Sequence, residues 1–226
     1  MFQICFMKII DLSHTIENGL ITYKGLPAPV ICDYLSREES RKVYEEGTEF
    51  QIGKIEMVAN TGTYIDCPFH RYKDGKDFAA LPAHLFTDIE GIKISIPYHQ
   101  QKAIDASYFT KINLRHKAIL VHTGWSEHWR ADAYFENHPY LTEDAAIFLK
   151  DQGVKLVGID SHNIDNTAKK SRPVHSTLLA HEIFIVEHLT NLAELPFDGF
   201  SFTALPPKLK AMGTFPVRAI AKIYHE

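Results

Sequence analysis

Cysteine is scarce in this chain of 226 residues. The three present, Cys5, Cys32 and Cys67, are an odd set with no CxxC pair. A disulfide framework is therefore not expected, and a reducing, cytoplasmic setting is. No stretch approaches the ~20 apolar residues that span a bilayer. Met1 to Ile10 lacks the basic start, long apolar region and small-residue cleavage site of a leader peptide, and Met7 to Ser13 reads as a strand. Positive charge is not in excess: 24 Lys and Arg against 28 Asp and Glu leave a net charge of −4. That balance gives no electrostatic footprint for nucleic acid or an anionic membrane. There is no internal repeat, low-complexity tract, Gly/Ser linker or Gly-rich phosphate fingerprint, so nucleotide binding has little support.

What is present is an ordinary globular composition, 45% apolar and 23% charged. A chain of this length buries roughly 70% of its unfolded surface, enough for a large core without staples. One domain over residues 1–226 is expected. Phe50 to Ala59 has apolar residues in period 2 with a one-residue slip near Gly53, as a bulged strand would show. Thr63–Asp66, Gly91–Ile96, Ala118–His122, Val154–Ile159, Ile183–Glu187, Phe200–Ala204 and Val217–Ile223 read as further strands. Leu141 to Gln152 is the clearest helix, with Thr142 as its cap and Gly153 at its end. Ser176–Glu182 reads as a short second helix. Strands and helices in mixed order predict an α/β or α+β domain with a mixed sheet, not a Rossmann fold.

Three segments could carry chemistry. In Asn60-Thr-Gly-Thr-Tyr64-Ile-Asp66-Cys-Pro-Phe-His70, Tyr64 and Asp66 share one strand face, Ile65 faces the other way, and Pro68 ends the ladder so that His70 can turn back. Asp66 suits a hard metal, and His70 suits a ligand or a general base. The plainer reading is a strand end with turn-capping side chains. Gly158-Ile-Asp160-Ser-His162-Asn-Ile-Asp165 follows a buried strand, where α/β proteins place ligand sites, but it also reads as an Asx-rich loop entry. In His175-Ser-Thr-Leu-Leu-Ala-His181 and Ile183 to Leu192, Glu187 ends an apolar strand and must be exposed, paired or metal-bound. His181 and His188 read as surface histidines. Cys67 reads as a small semi-buried residue, because an adjacent acid raises a thiol's pKa. Trp125 and Trp129 suit core or interface packing, and Tyr23, Phe69 and Tyr72 could wall a pocket for a flat substrate.

These segments, in this order, resemble the cyclase family of metal-dependent hydrolases, which includes bacterial kynurenine formamidases. The family pattern His-x-Gly-Thr-His-x-Asp-x-Pro-x-His is matched by Asn60 through His70. "DLSHTIENG", "VHTGWSEHW", "GVKLVGIDSHNID", "HSTLL", "IVEHLTNLAELP" and "FPVRAIA" extend the likeness over nearly the whole chain.

The resemblance implies a swivelling β/β/α domain and a small zinc or manganese site. Carried to matching positions, Asp66, His175 and Glu187 are metal ligands, Asp66 being the bridging carboxylate of a two-metal site, and His70 is the catalytic acid–base residue. Two family histidines fall on Asn60 and Tyr64. A neutral amide is a weak zinc ligand, and a phenol binds only when deprotonated. Asn60 is retained as a candidate ligand and Tyr64 as a catalytic hydroxyl donor, with one ion expected rather than two. The activity implied is hydrolysis of a small amide or cyclic amide. N-formyl anilines of the kynurenine pathway are the family's best-known substrates. A homodimer or homotetramer is also implied, and Trp125, Trp129 and Phe135 look exposed enough to serve an interface. A binding protein that has lost catalysis and a metal-independent acid–base enzyme are the competing readings.

Overall fold

A computed structural model describes residues 6–225; Cys5 lies outside them. The strands are β1 (Phe6–Asp11), β2 (Val30–Leu35), β3 (Ile52–Glu56), β4 (Tyr64–Asp66), β5 (Ile89–Ser95), β6 (Ala103–Ile104), β7 (Ala118–His122), β8 (Tyr140–Leu141), β9 (Leu156–Ile159), β10 (Phe184–Glu187), β11 (Phe200–Thr203), β12 (Thr214–Pro216) and β13 (Ile220–His225). Helices are short: α1 (Arg37–Arg41), α2 (Pro68–Arg71), α3 (Glu143–Asp151) and α4 (Pro173–Leu179). Nine strands make one mixed sheet in the order β1-β13-β11-β5-β7-β9-β10-β4-β12. β5, β7, β9 and β10 run parallel at its centre. β4 and β12 add antiparallel on one side, and β11, β13 and β1 on the other.

The central strands are buried on both faces, which is why they read as continuous apolar runs. Along β7, Ala118 and Leu120 enter one core with Ile65, Leu156 and Val186, while Ile119 and Val121 enter a second with Ile185. α3 and α4 cover that second face through Ala145, Leu149, Val174 and Leu178. Leu120 is fully buried, and truncating it to alanine should cost about 2–5 kcal/mol.

This mixed α/β architecture agrees with the expectation, while several local assignments shift. The predicted slip near Gly53 lies opposite it, between Asp33 and Leu35 on β2, a strand the sequence reading missed. β12 was missed too, and α4 begins at Pro173 rather than Ser176, with Pro at its first turn. Thr142 precedes α3, but its hydroxyl donates to the Ile104 carbonyl instead of capping the helix. Trp125 is buried, its indole N–H donating to the Tyr134 carbonyl at 3.0 Å, so it is no interface residue. Exposed apolar side chains gather instead on the β2–β3 ribbon: Val30, Ile31, Tyr34, Ile52 and Ile55. No helix among the described residues is long and apolar enough to cross a membrane.

Candidate metal and acid–base centre

Three adjacent strands build the floor of the site. β4 aims Tyr64 and Asp66 to one face, and Ile65 enters the core behind. In the antiparallel pairing with β10, Glu187 lies opposite Tyr64; in the pairing with β12, Thr214 lies opposite Asp66. Cross-strand neighbours touch, and these do: the Tyr64 hydroxyl donates to Glu187 Oε2, and the Thr214 hydroxyl donates to Asp66 Oδ1. Cys67 follows β4, and Pro68 opens the single turn of α2, which carries His70 back over Asp66. Gly213 permits that return, since a Cβ there would stand 2.1 Å from the His70 backbone nitrogen.

His175 comes from the first turn of α4. The Asp165 carboxylate accepts the backbone N–H groups of Val174 and His175 at 2.9 and 3.0 Å and also His175 Nδ1 at 2.6 Å. The ring is thereby locked with Nε2 facing Asp66 Oδ2 at 3.6 Å and Glu187 Oε1 at 3.7 Å. Burial lowers the His175 pKa, but the hydrogen bond to Asp165 and the facing Asp66 and Glu187 carboxylates outweigh it and raise it to about 10. Burial pushes Glu187 upward, opposed by His175. Glu187 Oε1 also accepts the Ile164 backbone N–H at 2.6 Å.

The His70 ring is partly exposed, with Nδ1 at 2.6 Å from Thr214 Oγ1. Thr214 has one hydroxyl hydrogen. With that hydrogen on Asp66, His70 Nδ1 is the donor to Thr214, which leaves Nε2 as the basic nitrogen.

The donor chemistry fits a divalent cation. Asp66 Oδ2 is buried without any hydrogen-bond partner, a costly state for a carboxylate oxygen unless a cation occupies the space before it. His175 turns its Nε2 there, where a cation would take the place of that nitrogen's proton, and a carboxylate backs the other ring nitrogen, the usual support of a metal-bound histidine. Ligand atoms of Asp66, His70 and His175 all lie within 4.8 Å of one another. Glu187 is brought to His175 but stands outside that tightest group. Asn60 and Tyr64 line the same pocket. Burial, then the Glu187 and Asp66 charges, drive the Tyr64 pKa well above 10. The phenol therefore keeps its proton, and a neutral phenol is a poor ligand for a second ion.

The pocket above this floor has a volume of about 400 Å³ and is walled by Tyr23 and Leu26, with Arg71, Lys170 and Arg172 at its mouth. Phe69 packs against the core instead, and the Tyr72 hydroxyl donates to the Ser176 carbonyl at 2.8 Å. Asp165 lies in the second candidate segment, six residues beyond the end of β9, but was given no role of its own there, and Thr214 was not singled out. Asp160 accepts from Thr123 and Gly124 and holds the β7 turn. His188, expected at the surface, is fully buried, its Nε2 at 2.8 Å from the His162 carbonyl. Cys67 is buried with its thiol pushed up to about 12, chiefly by desolvation.

Known proteins resemble this chain over nearly its full length. Kynurenine formamidase of Bacillus anthracis is 30% identical over 95% of this chain and 97% of its own. That of Bacillus cytotoxicus is 30% identical over 94% and 96%. A solved structure described as a potential metal-dependent hydrolase with cyclase activity superposes with a TM-score of 0.78 at 25% identity, covering 96% of this chain and 98% of that one. Isatin hydrolase A from Labrenzia aggregata, bound to benzyl benzoate, has the same fold, with a TM-score of 0.80 at 21% identity over 96% and 94%. The family model Cyclase, described as "Putative cyclase", matches residues 10–166, a stretch that runs from β1 through Asp165. By that match and by its full-length relatives, the chain belongs to the Cyclase family.

Proposed function

We propose that this protein is a metal-dependent hydrolase of a small amide or cyclic amide, with arylformamidase-like cleavage of a C–N bond. The observation that carries the reading is the unpartnered, buried Asp66 Oδ2 facing the locked Nε2 of His175. Asp66, His175 and Glu187 would hold one zinc or manganese ion, with Asn60 at the margin of the set. Such an ion supplies Lewis acidity and a water of lowered pKa.

The remaining chemistry falls to the chain's own side chains. His70 Nε2, left basic by the Thr214 contact, takes a proton from the attacking water and returns it to the leaving nitrogen. The Asn60 amide is a donor on the pocket floor where negative charge develops on the carbonyl oxygen, and the Tyr64 hydroxyl joins it by turning its hydrogen from Glu187 to that oxygen. Tyr23 and Leu26 flank the acyl-bearing ring and limit water. N-formyl anilines, the class to which formylkynurenine belongs, are the first substrates to try, because kynurenine formamidases are the near-full-length relatives. The proposal includes a cytoplasmic homodimer or homotetramer, in which the exposed β2–β3 ribbon is the apolar surface available for burial.

The test is metal analysis of tag-free protein together with hydrolysis of N-formylaniline before and after chelation. About one ion per chain, and activity that disappears on chelation and returns with zinc or manganese, is the expected result. Undiminished turnover after chelation would replace the proposal with metal-independent acid–base chemistry. Tight small-molecule binding without turnover would leave a binding protein.

A further inference from the structure

The pocket has two electrostatic tiers. Its floor carries the buried carboxylates Asp66 and Glu187 with His175 between them. Its mouth carries three cations, Arg71, Lys170 and Arg172, from two separate segments of the chain. Lys24 pairs with Glu136, Lys76 with Glu182 and Arg218 with Asp11. Among the described residues, Arg71, Lys170 and Arg172 form no ion pair, so their charge is available to a bound molecule. Three like charges lining one opening make it attractive to an anion.

Two of the three are also oriented. Arg71 Nε donates to Ser176 Oγ at 3.1 Å, beside His175, which leaves its two terminal amino groups without protein acceptors. Arg172 Nη1 donates to the carbonyls of Lys169 and Ser171 at 2.6 and 2.9 Å, and the guanidinium reaches Tyr23 across the opening. Arg71, held through Nε, thus presents its terminal amino groups as a planar, two-point donor, the geometry that matches a carboxylate, with Arg172 fixed beside it as a second cation.

From this we infer that the substrate is an anion: an amide whose reacting carbonyl reaches the acidic floor while a carboxylate elsewhere on the molecule is held by Arg71, Lys170 and Arg172. The inference rests on the hydrolase reading for which bond reacts, but not for the anion selectivity of the mouth. The arrangement also fixes orientation. The three cations hold the anionic end outward, and the amide is thereby directed inward.

The test compares 4-formamidobenzoate with its neutral methyl ester, which differs at the distal group alone. The expected kcat/KM ratio is about tenfold or more in favour of the acid, in line with charge-assisted hydrogen bonds. It should shrink as salt rises from 50 mM to 500 mM, because the mouth is open to solvent. Lys170→Glu, at an exposed position, and Arg172→Ala should each carry the ratio toward one. A ratio near one in the unaltered protein, or one unmoved by both substitutions, overturns the inference. Calorimetry with 4-aminobenzoate and its methyl ester gives a readout independent of turnover. Selective binding of the acid that Lys170→Glu abolishes supports the anionic mouth even if neither amide is hydrolysed, in which case the hydrolase reading fails alone. Equal binding of acid and ester overturns the inference whatever the activity.

Discussion

On one side of the pocket floor Asp66 Oδ2 and His175 Nε2 face each other with no protein hydrogen between them that satisfies the carboxylate oxygen. On the other side Tyr64 fills the space with a fully buried ring and donates its proton to Glu187. Both sides present oxygen or nitrogen atoms at similar depth. They differ in what holds the protons: on the first side a cation would displace only the His175 Nε2 proton, which no acceptor within hydrogen-bond distance holds, while the second has committed its hydroxyl hydrogen to a neighbouring acid. Proximity alone therefore does not define a ligand. A donor atom that a cation can claim, backed on its far side as Asp165 backs His175, does.

The largest effect should come from removing the orphaned carboxylate. Asp66→Asn keeps shape but replaces a hard anionic donor by a neutral amide, so bound metal measured by inductively coupled plasma spectrometry should fall near zero and turnover with it. A full metal complement in this variant would mean that the cation sits elsewhere. His70→Ala sharpens the comparison from the other direction. As a proton-transfer residue it should cost about 10²–10⁴ in kcat, while metal content stays near one per chain. If metal is lost as well, His70 belongs to the ligand set that its closeness to Asp66 and His175 permits.

How much of this was legible in the sequence follows from the range of the forces involved. Period-2 and continuous apolar runs made β4, β5, β7, β9, β10 and β11 readable, because each strand's burial is written in its own residues. β2 and β3 escaped or blurred because they form an exposed ribbon whose pattern no core enforces. Within the site, Tyr64 and Asp66 could be placed on one face from spacing alone. The Glu187–Tyr64 and Thr214–Asp66 contacts depend on strand register across 123 and 148 residues of chain, which no local signal carries. His188 was misjudged for a related reason. A histidine after a strand looks exposed until Tyr64, Trp129 and Tyr134 close around it.

The closed side can be reopened. Asn60→His with Tyr64→His removes the donated proton and supplies two imidazole lone pairs beside Asp66, so a second ion should bind and hydrolysis of N-formyl anilines should rise. Each single substitution should change the metal count little, since one new ligand leaves the position poorly held. A count unchanged in the double variant would show that His188, packed on Tyr64 at 5.1 Å between ring centres, or the backbone itself closes the position. Thr214→Val is a smaller intervention. It deletes the hydroxyl between Asp66 and His70 at constant shape, and kcat should fall about tenfold, the worth of one hydrogen bond to a charged group. Metal content should be unaffected, and the same substitution should cost nothing further in the His70→Ala background, where no ring is left to orient. An equal loss in both backgrounds would assign Thr214 a packing role only.

The mildest effect lies behind the site, in the aromatic nest that surrounds it. His14 stacks on Trp129 with ring centres 3.9 Å apart, and burial with the Arg130 charge lowers its pKa to about 4. Desolvation, with charges on His138 and Arg172, lowers His162 to about 3. Both rings are thus neutral in the folded protein and become protonated in the unfolded chain below about pH 6.5. The unfolded state binds the extra protons, so stability is fully present above pH 6.5 and is lost as pH falls toward 4. The slope is about 1.4 kcal/mol per pH unit for each histidine. Urea unfolding of chelated protein at pH 7, 6 and 5 measures it without the metal's own pH dependence. His14→Gln cannot gain a proton, so its stability difference from the parent should move in its favour by about 1.4 kcal/mol per unit as pH falls through this window. A difference that stays constant from pH 7 to pH 5 would show that His14 is protonated alike in both states, and that its stack on Trp129 leaves the ring open to water.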